Sequence, residues 1–179
     1  MLTLRPLTEA DVTDRYLSWF SDERVTQYLE VRGPTKQESI DYIRRGQETG
    51  DYYLYAIVTH KHIGNLKIGP IQHRHALSDL VTVIGDPEYW GKGHATEAIR
   101  QGVKLAWQMG IRKLSAGICS GNTGSIRAYT GAGFTIEAAL RDHYIINGNP
   151  QDRVCVSIWN PALQIIRTTW TPVTGRAGK

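Results

Sequence analysis

The fold of this chain is decided by the stretch Val83-Ile84-Gly85-Asp86-Pro87-Glu88-Tyr89-Trp90-Gly91-Lys92-Gly93-His94-Ala95-Thr96-Glu97-Ala98. An apolar β-branched run ends at an Asp-Pro turn, passes through a short glycine-rich loop and opens directly into a helix. The glycines at 91 and 93 let the backbone turn sharply and remove side chains that would block a ligand. The helix points its unpaired N–H groups and its positive dipole end into that loop. The stretch therefore predicts a receptor for a phosphate-bearing ligand.

Two familiar nucleotide-binding motifs are excluded by their spacing. A P-loop needs four residues between its first Gly and its Gly-Lys pair, with Ser or Thr after the Lys. Here five residues separate Gly85 from Gly91, and Gly93 follows Lys92. A dinucleotide fingerprint needs Gly or Ala where this chain has Thr96, and an acidic residue at the end of the next strand. That strand, predicted over 113–118, contains no acidic residue.

A third interpretation requires a second motif downstream, and the chain has it. The segment from Trp90 to Ala95 resembles motif A of the GCN5-related N-acetyltransferases (GNATs), Gln/Arg-x-x-Gly-x-Gly/Ala. Trp90 replaces the usual Gln or Arg, which is typical of the branch that resembles the RimJ/RimL ribosomal-protein acetyltransferases. The family also expects Asn-x-x-Ser-x-x-x-Tyr-x-x-x-Gly-Phe. This chain supplies it with Asn122, Ser125, Tyr129 and Gly133-Phe134.

Composition places the chain among ordinary globular proteins. Its 179 residues suit one domain. No apolar run approaches the ~20 residues needed to span a bilayer, so no membrane partner is expected. Two cysteines, Cys119 and Cys155, do not make a disulfide framework, and we expect a reducing, cytoplasmic setting. The net charge of +4 comes without a basic cluster interleaved with aromatic residues, so no nucleic-acid partner is expected.

The pattern of apolar and turn residues predicts the order β-α-α-β-β-β-α-β-α-β-β. This is an α/β (α+β mixed) protein with a central twisted sheet flanked by helices. A capping box opens a helix at Thr35, and Asn147-Gly148 marks a hairpin. Strand, helix and strand from 80 to 118 form a parallel crossover. The resemblance implies the GNAT acyl-CoA N-acyltransferase fold over residues 1–160, with a splayed pair of parallel strands. Residues 161–179 form a polar tail, expected to be peripheral or partly disordered.

The resemblance implies acetyl-CoA as co-substrate, bound in the gap between the splayed strands. The backbone of Val83, Ile84 and Gly85 would contact the pantetheine arm or the thioester. The pyrophosphate would lie on Gly91, Lys92, Gly93, His94, Ala95 and Thr96. The chemistry agrees with this assignment, because main-chain N–H groups are fixed donors for phosphate and a lysine adds a point charge.

Acetyl transfer to an amine poses two proton problems. A primary ammonium, with a pKa near ~10, must lose a proton before it attacks, and the departing thiolate is helped by an acid. Tyr129 occupies the family's acid position. Asn122 matches the residue that bonds the pantetheine amide, unless it serves only as the N-cap of the helix. Ser125 belongs to the same motif and would have a more structural role.

The general base is less clearly marked. Some family members have a Glu five residues before the motif Asn, and this chain has Gly117 there. Asp79 is the best substitute, acting through a water, unless it is only a solvated loop carboxylate. His73 and His75 are weaker candidates. The six histidines include two His-x-His pairs without a nearby third ligand, so no metal site is expected.

The predicted activity is direct acetyl transfer in a ternary complex with a small-molecule amine or a protein N-terminus. Segment 63–71 resembles RimJ/RimL-like enzymes found with surface-sugar biosynthesis, which favours an amino sugar, free or nucleotide-linked. A protein N-terminal amine comes second, then a polyamine or aminoglycoside. A catalytically idle acetyl-CoA-binding module is the non-enzyme alternative, and either a monomer or a homodimer fits. The acceptor region is expected to draw on Trp19, Phe20, Tyr28 and Tyr52, with Asp22, Glu23 or Glu30 receiving the amine.

Overall fold

A computed structural model describes residues 1–163, in which seven strands and five α-helices follow the predicted order with one short helix added. The strands are β1 (Thr3–Pro6), β2 (Tyr53–Val58), β3 (His62–Gln72), β4 (Leu77–Ile84), β5 (Lys113–Cys119), β6 (Thr135–Ile146) and β7 (Asn149–Trp159). The helices are α1 (Asp14–Ser21), α2 (Glu23–Thr26), α3 (Lys36–Thr49), α4 (His94–Gln108) and α5 (Thr123–Gly131). The added helix is the single turn α2, which Asp22 begins by accepting a hydrogen bond from the Arg24 backbone N–H at 2.9 Å.

One mixed sheet contains all seven strands, in the order β1-β2-β3-β4-β5-β7-β6. Strands β4 and β5 run parallel, and the other neighbouring pairs in residues 1–163 are antiparallel. The parallel pair ends at the rung that joins Asp79 to Ser115, although β4 continues to Ile84 and β5 to Cys119. The predicted splayed pair is therefore confirmed.

Each splayed strand is held from its outer side. Strand β4 stays paired with β3 up to the rung between Gly64 and Ile84. Strand β5 stays paired with β7 up to the rung between Cys119 and Arg153. The inner edges of both strands consequently present backbone groups to the gap, and such groups need partners.

Helices cover both faces of the sheet and divide the core in two. The larger core lies under α4 and α5 and includes Leu66, Leu80, Leu114 and Ile118. The smaller core lies against β2 and includes Trp19 of α1 and Ile43 of α3. Because side chains alternate along a strand, residues next to those of the larger core point to the opposite face of the sheet.

Local signals in the sequence formed as predicted. At the start of α3, Thr35 Oγ1 accepts from the Glu38 N–H at 3.2 Å, and the Glu38 carboxylate accepts from the Thr35 N–H at 2.7 Å. Asn122 Oδ1 accepts from the Ser125 N–H at 3.1 Å and begins α5. Asn147 and Gly148 both have positive φ in the hairpin between β6 and β7.

Strand β4 begins earlier than predicted. It starts at Leu77 and not at Leu80, so Asp79 lies inside the strand and not in a loop before it. The apolar pattern missed this start because Ser78 and Asp79 are polar. Ser78 nevertheless pairs with both β3 and β5, and Asp79 pairs with β5. The predicted tail begins with a single 3-10 turn, Pro161–Leu163, and its residues 164–179 lie outside the described part. None of the helices in residues 1–163 has the length and apolar character to span a bilayer.

Candidate active site

A cleft of about 570 Å³ lies beside the inner edge of β4, between the N-terminal ends of α4 and α5. The turn of α2 and the residues after it form its outer wall. The predicted site residues that line the cleft are Val83, Ile84, Gly91, Gly93, His94, Ala95, Thr96, Asn122, Ser125 and Tyr129. The predicted site residues Gly85, Lys92 and Asp79 do not line it.

The glycine-rich loop leaves open space over the start of α4. Gly91 and Gly93 have φ of +71° and +79°, a backbone conformation that side chains disfavour. A Cβ atom at either position would meet nothing within 4 Å. Gly93 is also the N-cap of α4 and has no side chain to cap it. The first N–H groups of α4 therefore face the cleft without a side-chain acceptor, as an anion site requires.

Trp90 fixes the loop to the end of β4. Its indole Nε1–H donates to the Ile84 carbonyl oxygen at 2.8 Å, while 41% of the residue stays exposed. This bond gives Trp90 a structural role at the position where the resemblance expects Gln or Arg. Gly85 has a packing role, because a Cβ there would collide with the indole of Trp19.

A buried carboxylate anchors the loop from below. Asp86, 8% exposed, accepts from Arg15 at 2.6 Å and lies 3.1 Å from Lys61 Nζ. Burial alone would raise its pKa, but the hydrogen bonds from Lys61 and Arg15 outweigh burial and hold the pKa below its ordinary value. Lys61 and Lys92 lie 5.2 and 5.6 Å from the Tyr89 ring, so two cations flank the loop although Lys92 does not line the cleft.

Tyr129 reaches the inner edge of β4. Its hydroxyl donates to the Leu80 carbonyl oxygen at 2.6 Å, one of the backbone groups that the splay leaves without a strand partner. The residue is 3% exposed, and its ring packs edge-on against Phe134. Burial raises the pKa of Tyr129 well above its ordinary value. The phenol is therefore a protonated donor at neutral pH.

Asp79 lies on the last rung before the splay, paired with Ser115. Burial raises the pKa of its carboxyl, and the positive charges of Arg153 and Lys67 only partly offset this. A half-buried strand carboxylate with a raised pKa is a better proton acceptor near neutrality than a solvated loop carboxylate. The expectation of a loop residue was wrong because Asp79 lies within β4.

Arg153 on β7 is a candidate site residue that was not predicted from the sequence. Its guanidinium lies over Gly117, where a Cβ would collide with Nε, Cζ and Nη2 of the arginine. Arg153 Nε is buried and has no hydrogen-bond partner in residues 1–163. A guanidinium thus occupies the space above the position where some GNATs have their Glu. Only the pairing of β5 with β7 brings these residues together, so local patterns contained no signal for it.

The proposed acceptor region is divided by the structure. Tyr28 lines the cleft. Trp19 packs in the smaller core and Phe20 against it, and the Tyr52 hydroxyl donates to the Tyr42 carbonyl oxygen at 2.6 Å. The three acidic candidates lie near the turn of α2: Asp22 caps that helix, Glu23 is its first residue and Glu30 is exposed beyond it.

The weaker histidine candidates are remote from the cleft lining. His73 and His75 form an exposed 3-10 turn between β3 and β4. Within residues 1–163, no group of three or more His, Cys, Asp or Glu side chains is arranged to hold a metal ion.

Comparison with known proteins places this fold and cleft in a family. The model of the acetyltransferase (GNAT) domain matches residues 1–135. A probable N-acetyltransferase of Bacillus subtilis, YjcK, is 26% identical over 170 residues, which cover 88% of this chain and 93% of YjcK. An uncharacterized N-acetyltransferase of the same organism, YoaA, is 28% identical over 178 residues, covering 89% and 94%. The chain belongs to the GNAT family and is an acyltransferase.

Solved structures share the fold at lower identity. A spermidine N-acetyltransferase from Vibrio cholerae, solved with CoA and spermine, has a TM-score of 0.80 at 22% identity, covering 88% of this chain and 95% of that one. A ribosomal-protein-S5-alanine acetyltransferase from Vibrio fischeri has a TM-score of 0.79 at 17% identity, covering 92% and 96%. These two proteins differ in acceptor, so the shared fold leaves the acceptor of this chain open.

The raised pKa of Asp79 predicts how stability depends on pH. A carboxyl whose folded pKa lies above its unfolded value stabilises the fold below the unfolded pKa, and this contribution is lost as pH rises through the folded pKa. Asp79→Asn should therefore raise the free energy of unfolding at neutral pH and flatten its fall between acidic and neutral pH. Urea unfolding of both proteins across that range measures this.

Asp51→Asn, at an exposed position, is the matched control and should leave the free energy of unfolding nearly unchanged. A lower unfolding free energy for Asp79→Asn at neutral pH would show that the ionised carboxylate stabilises the fold, against the assigned direction of its pKa.

Proposed function

We propose that this GNAT acetyltransferase transfers the acetyl group of acetyl-CoA directly to a primary amine in a ternary complex, and that the acceptor is an amino sugar, free or nucleotide-linked. The observation that carries the proposal is the uncapped start of α4, which opens on the cleft beside the splayed strands. Such a site binds phosphate through fixed N–H donors. The gap along β4 offers backbone partners for an amide-containing chain.

Different residues around the cleft are assigned to different parts of CoA. The N–H groups around Gly93, His94 and Ala95 would hold the pyrophosphate, with Lys92 adding positive charge nearby. The pantetheine arm would run along Val83 and Ile84 in the gap. Asn122 uses Oδ1 to cap α5, and we assign its Nδ2 as a donor to a pantetheine carbonyl.

Proton transfer is assigned to the two groups next to Leu80. Asp79 would accept the proton of the acceptor ammonium, directly or through a water. Tyr129 would donate its proton to the departing thiolate, for which the O–H turns away from the Leu80 carbonyl. The two groups lie where the strands diverge, so Asp79 would act from the acceptor side and Tyr129 from the CoA side of the reacting centre.

Other acceptors remain in competition with the amino sugar. A protein N-terminal amine and a polyamine are two of these, and the names of the two structural neighbours described above give an alanine of ribosomal protein S5 and spermidine as acceptors. An aminoglycoside is a further candidate. A catalytically idle CoA-binding module would not need a buried phenol beside the sulfur, and the retention of Tyr129 therefore favours an enzyme.

Residues 1–160 are taken as the catalytic domain and 161–179 as a peripheral tail. Cys119 and Cys155 are both free thiols, which fits a reducing, cytoplasmic setting. The oligomeric state, monomer or homodimer, does not enter the mechanism.

Acetyl-CoA-dependent thiol release over a panel of amino sugars, N-terminal peptides, polyamines and aminoglycosides tests the proposal, with calorimetric titration of CoA beside it. Binding with turnover on amino sugars is the expected result. Turnover on another class of amine would support acetyl transfer but contradict the amino-sugar acceptor. CoA binding without turnover on any class would support the idle module. A lack of CoA binding would show that the cleft is not a CoA site.

Gly93→Ala is expected to weaken CoA binding by about 10-fold or more, because a methyl group would stand in the space assigned to the pyrophosphate. Its left-handed backbone should also cost about 1–2 kcal/mol of stability. Calorimetric titration of CoA and urea unfolding measure the two effects separately.

Gly110→Ala is the matched control. Gly110 has a φ of +77°, with nothing within 4 Å of its Cβ position, and lies beyond the other end of α4. Its replacement should cost the same stability and leave CoA affinity unchanged. Equal CoA affinities for the two variants would place the pyrophosphate elsewhere.

Tyr129→Phe should keep CoA affinity and lower kcat by about 10²- to 10⁴-fold, the usual contribution of a general acid. Tyr55→Phe, in the same buried core, removes a hydroxyl away from the cleft and should retain turnover. Calorimetry and thiol release separate binding from chemistry. Undiminished kcat in Tyr129→Phe would remove this residue from the role of acid.

A further inference from the structure

The face of the sheet opposite α4 and α5 has its own set of charged side chains. Ser115, Gly117 and Cys119 alternate on β5 with residues of the larger core, so they belong to this opposite face. Asp79 pairs with Ser115, and Arg153 pairs with Cys119. Asp79 and Arg153 therefore lie on the same face, on opposite sides of the splay.

Arg153 packs on this face and has an N–H donor without a hydrogen-bond partner in residues 1–163. Gly117 has no side chain, and the guanidinium fills the space that a Cβ would take. Arg153 Nε is buried without a hydrogen-bond partner in residues 1–163. Leaving a charged group unpaired is costly, and Arg153 is only partly buried, so an anion can reach its guanidinium and pair with it. The planar fork of arginine matches the oxygens of a carboxylate or phosphate.

No neighbouring carboxylate in residues 1–163 forms an ion pair with Arg153. The ion pairs within 4 Å in residues 1–163 do not include Arg153. Asp79 feels the charge of Arg153, yet burial still raises its pKa, as expected of a carboxylate without a close cationic partner. On the other side, Tyr144 lies within the electrostatic reach of Arg153 and Glu30, and Glu30 is exposed.

The charges on this face suit one kind of acceptor. Asp79 is the acid, and Lys67 and Arg153 are the cations that act on it. Lys67 Nζ donates to the Tyr42 hydroxyl at 3.1 Å and lies over the Tyr42 and Tyr52 rings, whereas Arg153 Nε has no hydrogen-bond partner in residues 1–163. A polycation would meet two positive charges and one negative charge here. A molecule with both an ammonium and an anionic group would meet a partner for each.

We propose that the acceptor is a zwitterionic amine, whose carboxylate or phosphate binds Arg153 while its ammonium faces Asp79. The inference rests on the proposed function, because it assigns the acceptor specificity of the same site. Arg153 is a specificity-determining residue in this account and takes no part in proton transfer. Amino acids and phosphate-bearing amino sugars belong to the favoured class, and polyamines do not.

Matched pairs of acceptors test the proposal. Glucosamine 6-phosphate is compared with glucosamine, and alanine with alaninamide, so that each pair differs in its anionic group; spermidine is the polycation. Wild-type protein should have a higher kcat/KM for the anionic member of at least one pair. The preferred pair distinguishes phosphate from carboxylate.

Arg153→Gln should lower kcat/KM for the preferred anionic acceptor by about 10- to 100-fold, the loss expected when a charge-assisted hydrogen bond to a bound anion is removed. The loss should appear mainly in KM, and the neutral member of the pair should change little. Arg153→Lys should restore part of the preference. Arg74→Gln, an exposed arginine in the turn before β4, is the matched control and should behave as wild type.

Equal losses for the anionic and neutral members would overturn the inference, since Arg153 would then be structural or would act on Asp79. A wild-type preference for spermidine over both anionic acceptors would also overturn it, while leaving acetyl transfer intact. If the panel shows no turnover, calorimetric titration of the same pairs into the CoA-bound protein decides. Binding of an anionic member that Arg153→Gln abolishes supports the inference, and its absence or persistence contradicts it.

Discussion

The structure depends on the short stretch over which β4 and β5 pair. Three rungs join them, the last between Asp79 and Ser115, and each strand then follows its outer neighbour away from the other. Backbone groups cannot stay unpaired at no cost, so the gap has to be supplied with partners. Tyr129 supplies one by bonding the Leu80 carbonyl oxygen, and the remaining edge of β4 lines the cleft. The same divergence that weakens the sheet creates the cleft beside β4.

The loop above the gap is held in place by contacts within the protein. Trp90 bonds the end of β4, and Asp86 draws in Arg15 from α1 and Lys61 from the turn before β3. These contacts come from three separate parts of the chain, so the loop conformation depends on the completed fold. A loop fixed in this way would bind CoA without first losing its own conformational freedom, which would improve affinity.

The elements that the sequence predicted are those with local causes. The strand, loop and helix around Gly91 and Gly93, the Thr35 capping box and the Asn147-Gly148 hairpin each depend on neighbouring residues, and each formed as expected. The start of β4 was wrong because Ser78 and Asp79 are polar yet take part in strand pairing. The pattern of apolar residues reports which side chains are buried. It misses polar residues that join a strand through their backbone hydrogen bonds.

The parts of the site that depend on tertiary register were not predictable. Arg153 reaches Gly117 only because β7 returns beside β5, a pairing between residues distant in the chain. The aromatic residues expected at the acceptor pocket lie in different places, because their positions also depend on tertiary packing. Tyr28 lines the cleft, and Trp19 lies in the smaller core. A crystal structure with bound CoA would show whether the gap between β4 and β5 is the CoA site. We expect the pyrophosphate on the N–H groups at the start of α4, the pantetheine along β4 and the sulfur within hydrogen-bond distance of the Tyr129 hydroxyl. CoA bound outside the gap between β4 and β5, or a sulfur remote from Tyr129, would contradict it.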